Sequence, residues 1–194
     1  MSSPPLARRY DAVVIGASAG GVAALRSLLR SLPHDLPVPV LVVLHVPRDR
    51  PSQAAELFAQ GCALPVAEAE DKEPLLPGTV RIAPPDYHLL VEGGRTLALS
   101  VDDPVLFSRP AIDPLFESAS EAYGPRLLAL LLTGASSDGS HGLAVVRQRG
   151  GTAWIQCPDE AAAPFMPASA LAHAGADAVL SLDEICNRLA EFHP

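Results

Sequence analysis

The 194-residue sequence is poor in cysteine and in positive charge, and it contains no long apolar run. Each shortage removes a class of protein. Its three cysteines, Cys62, Cys157 and Cys186, are widely spaced and form no CxxC pair, which leaves no basis for a disulfide framework or a zinc site. They read as reduced thiols in a core. Lys and Arg number 14 against 22 Asp and Glu, a formal net charge of -8, so the long-range field repels phosphate backbones and anionic lipid surfaces. Nucleic-acid and membrane partners are disfavoured, although local basic spots are compatible with this balance. No apolar stretch approaches a membrane span and the opening MSSPPLARRY has no signal-peptide core, which points to a cytoplasmic chain.

What is present is apolar sequence in short runs. Hydrophobic residues make up 48% of the chain and charged residues only 19%, the balance of a protein whose strands are buried on both faces. Strand-like runs fall at about 12–16, 39–45, 79–83, 127–132, 152–156 and 177–180, with helical periodicity between most of them. A β-α-β order repeated in this way predicts an α/β fold, a doubly wound and mostly parallel sheet in a Rossmann-like three-layer arrangement. Between Pro84 and Ser100 the turn Glu92-Gly93-Gly94-Arg95 separates two short β-prone runs, an antiparallel hairpin insert. The length suits one domain, expected over 11–194, behind a flexible Pro-rich segment at 1–10 that is a frayed end or the stub of a linker. Helices are expected after Gly20-Gly21 up to Pro33, from Pro51-Ser52 to Gly61, and from Asp113-Pro114, with Asp113 as side-chain cap and proline at the first helical position.

In an open parallel sheet the loops converge outside the carboxyl ends of the strands. The first strand there ends in Ser18, the second in His45, and the run Leu127–Leu132 leads into Thr133-Gly134-Ala135-Ser136-Ser137-Asp138-Gly139. Each tip alone admits a plain reading: Ser18 as a small residue in a Gly-rich turn, His45 as a packed or solvated side chain, Asp138 as a turn or helix cap. Together they are a hydroxyl and an imidazole on consecutive strands, which a βαβ fold brings side by side, and a carboxylate supplied by a third tip, the set that activates a serine. Gly16-Ala17-Ser18-Ala19-Gly20 also matches the G-x-S-x-G turn that exposes a nucleophile, with backbone N–H groups near Ala19 and Ala135 available to an oxyanion. A dinucleotide site would instead need G-x-G-x-x-G and an acid on the second tip, where this chain has Ser18 and His45.

The segments VVIGASAGG, VLHV, APPDYHLLV, SRPAIDPLFESAS and LLTGASSDGSHGL, in this order and spacing, make the chain from about Asp11 to Leu189 resemble the catalytic domain of the bacterial chemotaxis protein-glutamate methylesterases. The resemblance implies hydrolysis of glutamyl methyl esters on methyl-accepting chemoreceptor proteins through a serine acyl-enzyme, possible deamidation of receptor glutamines, and no metal or organic cofactor. It implies Ser18 as nucleophile, His45 as general base and acid, and Asp138 as the orienting acid, with the Ala19 and Ala135 N–H groups as oxyanion donors. Ala135 and Ser136 stand where better-known members have methionine and glycine, which alters the pocket wall. Nothing before Tyr10 matches the receiver domain those members carry, so a stand-alone catalytic domain, a fragment or one piece of a larger system is expected.

Arg48, Arg50 and Arg109 form a candidate basic rim for substrate, or else solvated surface charges. Met166 is placed beside the site as a space-filling rim residue, His88 near the cleft in a packed role, and His141 in a helix's first turn, where the dipole disfavours a proton. Two other classes stay open at this level: a catalytically silent adaptor on the same fold, and a nucleotide-binding protein.

Overall fold

The computed structural model describes residues 9–46 and 52–192. Seven parallel strands form one sheet in the order β3-β4-β2-β1-β7-β8-β9, with β1 at Ala12–Ala17, β2 at Val40–Leu44, β3 at Val66–Glu68, β4 at Val80–Ile82, β7 at Leu127–Leu131, β8 at Thr152–Gln156 and β9 at Ala178–Leu180. The expected hairpin is β5, His88–Val91, paired antiparallel with β6, Leu97–Ser100, as a separate two-stranded sheet. Every residue of β1, β2, β7 and β8 is buried, as strands covered on both faces must be. β3 escapes the sequence reading because three residues behind Pro65 are too few to show a period.

The pleat divides the core in two. Val13, Ile15, Ala17, Val42 and Leu44 point to one face, which is covered by α1 (Gly21–Arg30), α2 (Ala54–Ala59) and α6 (Leu182–Ala190). Ala12, Val14, Leu41 and Val43 point to the other, covered by α3 (Ile112–Tyr123), α4 (Ser140–Gln148), α5 (Phe165–Ala174) and the hairpin. α1 keeps Leu25, Leu28 and Leu29 inward, and α6 starts with a capping box between Ser181 and Glu184. Of the segment expected to be flexible, Arg9 and Tyr10 are described. Tyr10 is 1% exposed, stacks on Phe192 and donates its hydroxyl to Thr152 Oγ1 at 3.0 Å, so it belongs to the packed core.

α3 corrects one expectation. It begins at Ile112, two residues before Pro114, and Asp113 does not cap it. The Asp113 carboxylate instead accepts the Gly142 N–H of α4 at 2.6 Å, while the first N–H groups of α3 are taken by an acid from a distant loop. Among the described residues no helix is long and apolar enough to cross a membrane.

Candidate active site

Strand order reverses about β1, whose neighbours are β2 on one side and β7 on the other. At such a point the loops part and leave a crevice. Ala17 pairs with Leu44, and the next residues are Ser18 and His45; the His45 N–H donates to Ala17 O at 3.1 Å, and the Ser18 N–H donates to Thr133 O at 2.9 Å. Adjacent parallel strands lie about 5 Å apart, which sets the spacing of the two tips. Continuing the alternation places both side chains on the face covered by α3.

The serine turn owes its shape to Gly20 rather than to strain at Ser18. Gly20 adopts φ 76°, a left-handed conformation, and a Cβ there would stand 2.7 Å from the Ala162 Cβ. Thr133 braces the same turn from the loop after β7: its hydroxyl donates to Ala19 O at 2.9 Å and accepts the Ala163 N–H at 2.8 Å. Its own N–H is held by the Gln156 side chain at 2.9 Å. Ser18 is left half-buried, and among the described residues neither the Ala19 nor the Ala135 N–H donates within the protein.

Asp138 is the most enclosed member of the site, with 0% exposure. Oδ2 accepts from His45 Nε2 at 2.7 Å and from the Ile112 N–H at 2.6 Å, and Oδ1 accepts from the Asp113 N–H at 3.0 Å. The carboxylate thus sits on the amino end of α3, where free N–H groups and the helix dipole favour negative charge. Gly16 makes the approach possible: a Cβ on it would lie 2.5 Å from the Ile112 side chain, so only glycine lets α3 come this close to β1. An acid that accepts from both sides leaves His45 Nε2 as the donor. The free ring nitrogen is then Nδ1, and the side chain it meets is Ser108 Oγ, at 3.4 Å. Among the described residues no hydrogen bond joins His45 to Ser18 Oγ.

Asp113, whose N–H holds Asp138, has a displaced pKa of its own. Burial pushes its carboxyl up to about 6, against the pull of the Gly142 N–H and with help from the negative charge of Asp138.

Of the residues singled out in the sequence, the structure gathers Ser18, His45, Asp138, Ala19 and Ala135 at one carboxyl edge. Arg109 is committed elsewhere: its guanidinium holds Asp86 Oδ1 at 2.7 and 3.0 Å and the Val101 and Asp102 carbonyls at 2.8 and 3.1 Å. Met166 is wholly buried behind Gly134, whose missing Cβ makes room for its sulfur, so it backs the loop instead of lining a rim. Arg48 and Arg50 lie outside the described residues. His88 is buried, with Nδ1 accepting the Ala111 N–H and Nε2 donating to Asp103 O, which ties the hairpin to the start of α3. His141 is exposed and 3.6 Å from Glu117. Two contributors went unnoticed in the sequence. Ser108 reaches the imidazole, and Thr133 holds the serine turn; neither contact leaves a local pattern to read.

A doubly wound parallel sheet with an acid–imidazole pair and a serine turn on adjacent tips at its switch point defines an α/β protein of the serine-hydrolase type. The chain belongs to the CheB methylesterase family, whose model matches residues 13–189. A Leptospira interrogans relative, provisionally named protein-glutamate methylesterase/protein-glutamine glutaminase, is 42% identical over 91% of both chains. An Anaeromyxobacter dehalogenans protein-glutamate methylesterase/protein-glutamine glutaminase is 43% identical over 98% of this chain and 56% of its own length. A Pseudomonas putida relative of the same name is 37% identical over 94% of this chain and 49% of its own, so the chain spans about half of these two longer proteins. The crystal structure of the Thermotoga maritima CheB methylesterase catalytic domain superposes with a TM-score of 0.88 at 34% identity, over 94% of this chain and 98% of that one.

Proposed function

We propose that this chain is a protein-glutamate methylesterase that hydrolyses glutamyl methyl esters on methyl-accepting chemoreceptor proteins in the cytoplasm, and that deamidates receptor glutamines at the same site. The observation that carries the reading is the 2.7 Å contact between His45 Nε2 and the fully buried Asp138, one strand tip from Ser18. A silent adaptor has no use for a desolvated carboxylate aimed at an imidazole.

In this reading Asp138 fixes the His45 tautomer so that Nδ1 carries the lone pair. Ser18 Oγ replaces Ser108 Oγ at that nitrogen; the Ser108 contact at 3.4 Å is long for a hydroxyl hydrogen bond and is given up at little cost. As Nδ1 takes its proton, Ser18 Oγ attacks the ester carbonyl carbon, and the oxyanion is met by the Ala19 and Ala135 N–H groups. Collapse breaks the C–O bond to the methoxy group, which leaves as methanol with the proton held on Nδ1. Water, deprotonated by the same nitrogen, then attacks the acyl-enzyme and frees Ser18 and the glutamate. With a glutamine substrate the leaving group is ammonia and every other step is shared.

The test is methanol release from methylated receptors by the chain and by its Ser18→Ala variant. Loss of Ser18 lowers kcat by about 10⁴-fold or more. Unchanged turnover by a folded variant sinks the proposal.

A further inference from the structure

The segment joining the hairpin to α3 ends in a feature that the acyl-transfer chemistry does not use. Val105 and Ser108 exchange both backbone hydrogen bonds, at 3.0 and 2.9 Å, closing a tight turn with Leu106 and Phe107 at its tip. Both tip residues are left-handed, Leu106 at φ 47° and Phe107 at φ 67°, a conformation suited to glycine or asparagine and unfavourable for bulky side chains. Phe107 is 94% exposed and Leu106 is 49% exposed. A large aromatic side chain held in water on unfavourable backbone gains nothing for the fold.

The turn is nevertheless held firmly. Arg109 clamps the carbonyls of Val101 and Asp102 and is itself anchored on Asp86, so the base of the segment is fixed while its tip projects. The next residue after Phe107 is Ser108, whose hydroxyl touches His45. Leu106 lines a cavity of about 250 Å³ with Asp113 of α3, with Ser137 and Ser140 on either side of Asp138, and with His141, Ser169 and His173. Across the same edge Phe165, 59% exposed, opens α5 directly before Met166, whose N–H donates to Gly134 O.

We infer that the Leu106–Phe107 turn is a docking tip for the protein substrate: Phe107 takes an apolar side chain of the segment that carries the esterified glutamate, and so selects esters on proteins over small free esters. The inference rests on the esterase reading and names what that site recognises beyond the ester itself. The occupant is the substrate because the tip is one residue from the contact with the reacting imidazole. A segment presenting an ester to Ser18 and His45 has this turn beside it, because Ser108 at its base touches His45. Aromatic side chains at such positions contribute binding at small entropic cost.

The test compares the wild type with Phe107→Ser on two substrates, a methylated chemoreceptor cytoplasmic domain and N-acetyl-glutamate γ-methyl ester. The substitution raises KM for the receptor about tenfold and leaves kcat/KM for the small ester unchanged. Binding of the methylated receptor, measured by calorimetry in a Ser18→Ala background, weakens by the same factor. Phe107→Gly, which suits the left-handed backbone, weakens receptor binding likewise while raising Tm. Unchanged receptor KM and affinity overturn the inference and leave the esterase reading standing. Equal slowing of both esters also overturns it, because the turn then only props Ser108 and His45. A chain that dimerises through Phe107 and becomes monomeric on substitution assigns the tip to a second copy and overturns it too. Wild type that hydrolyses neither ester removes the esterase reading and this inference with it.

Discussion

Asp138 and Phe107 stand at opposite ends of one short path, from the carboxylate through His45 to Ser108 and on to the tip of the turn. At one end the side chain is fully enclosed, every oxygen is occupied, and the backbone is ordinary. At the other the side chain is almost wholly in water and the backbone is left-handed. The difference separates two demands on one site. Orienting an imidazole requires a fixed charge in a dry, saturated pocket, whereas meeting a second macromolecule requires surface that the fold has no reason to keep.

The sharpest way to break the buried end is Asp138→Asn. The amide can still accept from α3, but it no longer holds His45 in the right tautomer, and kcat for methanol release falls by about 10³–10⁴-fold. Asp138→Ala goes further. It leaves the His45 Nε2, Ile112 N–H and Asp113 N–H groups without their acceptor, at about 1–3 kcal/mol for each buried orphan, and thermal unfolding shows a clearly lower Tm than for Asp138→Asn. Equal Tm values for the two variants would mean that the helix-end contacts contribute nothing.

A middle effect comes from Thr133→Val, which keeps the shape of the brace and removes its hydrogen bonds to Ala19 O and Ala163 N. Loss of the fixed serine turn lowers kcat by about 10-fold to 100-fold, with KM little changed, because groups placed an ångström wrong still bind substrate. A larger effect on KM than on kcat would assign Thr133 to substrate binding instead.

The smallest effect separates enclosure from activity. Asp113 is buried beside Asp138, and its folded carboxyl keeps a proton up to about 6, whereas the ordinary value is 3.8. The folded state therefore binds more protons than the unfolded state between these values, and this group's contribution to stability is complete below 3.8 and lost as pH rises to 6. Asp113→Asn removes that loss. Its Tm exceeds that of the wild type by an amount that grows from pH 4 to pH 6 and then levels, as scanning calorimetry at a series of pH values will read, while kcat stays the same.

Much of the fold was legible because its signals are local. Runs such as Val13-Val14-Ile15 and Leu127–Leu131 are continuous apolar strands, Gly20-Gly21 marks the turn into α1, and Gly93-Gly94 marks the hairpin. That the strands ending in Ser18 and His45 lie side by side was legible too, since successive βαβ strands do so. α3 shows where local cues fail. Asp113-Pro114 looks like a cap and a first turn, yet the helix starts at Ile112 because Asp138, 26 residues further along the chain, takes its leading N–H groups. Ser108 and Thr133 were silent for the same reason: their contacts reach across 63 and 114 residues and leave no periodicity.

The sequence by itself determined the alternation of strand and helix, the glycines that let chains approach closely, and the three side chains carried to one edge. These follow from periodicity and from residue shape, which any short window displays. Only the tertiary structure decided which nitrogen of His45 faces the acid, what enclosed that acid, and that an aromatic side chain would stand in water one residue from the imidazole's contact. Those outcomes depend on how α3, the Asp138 loop and the 105–108 turn pack together, and packing between distant segments is decided by their joint fit rather than by any one of them.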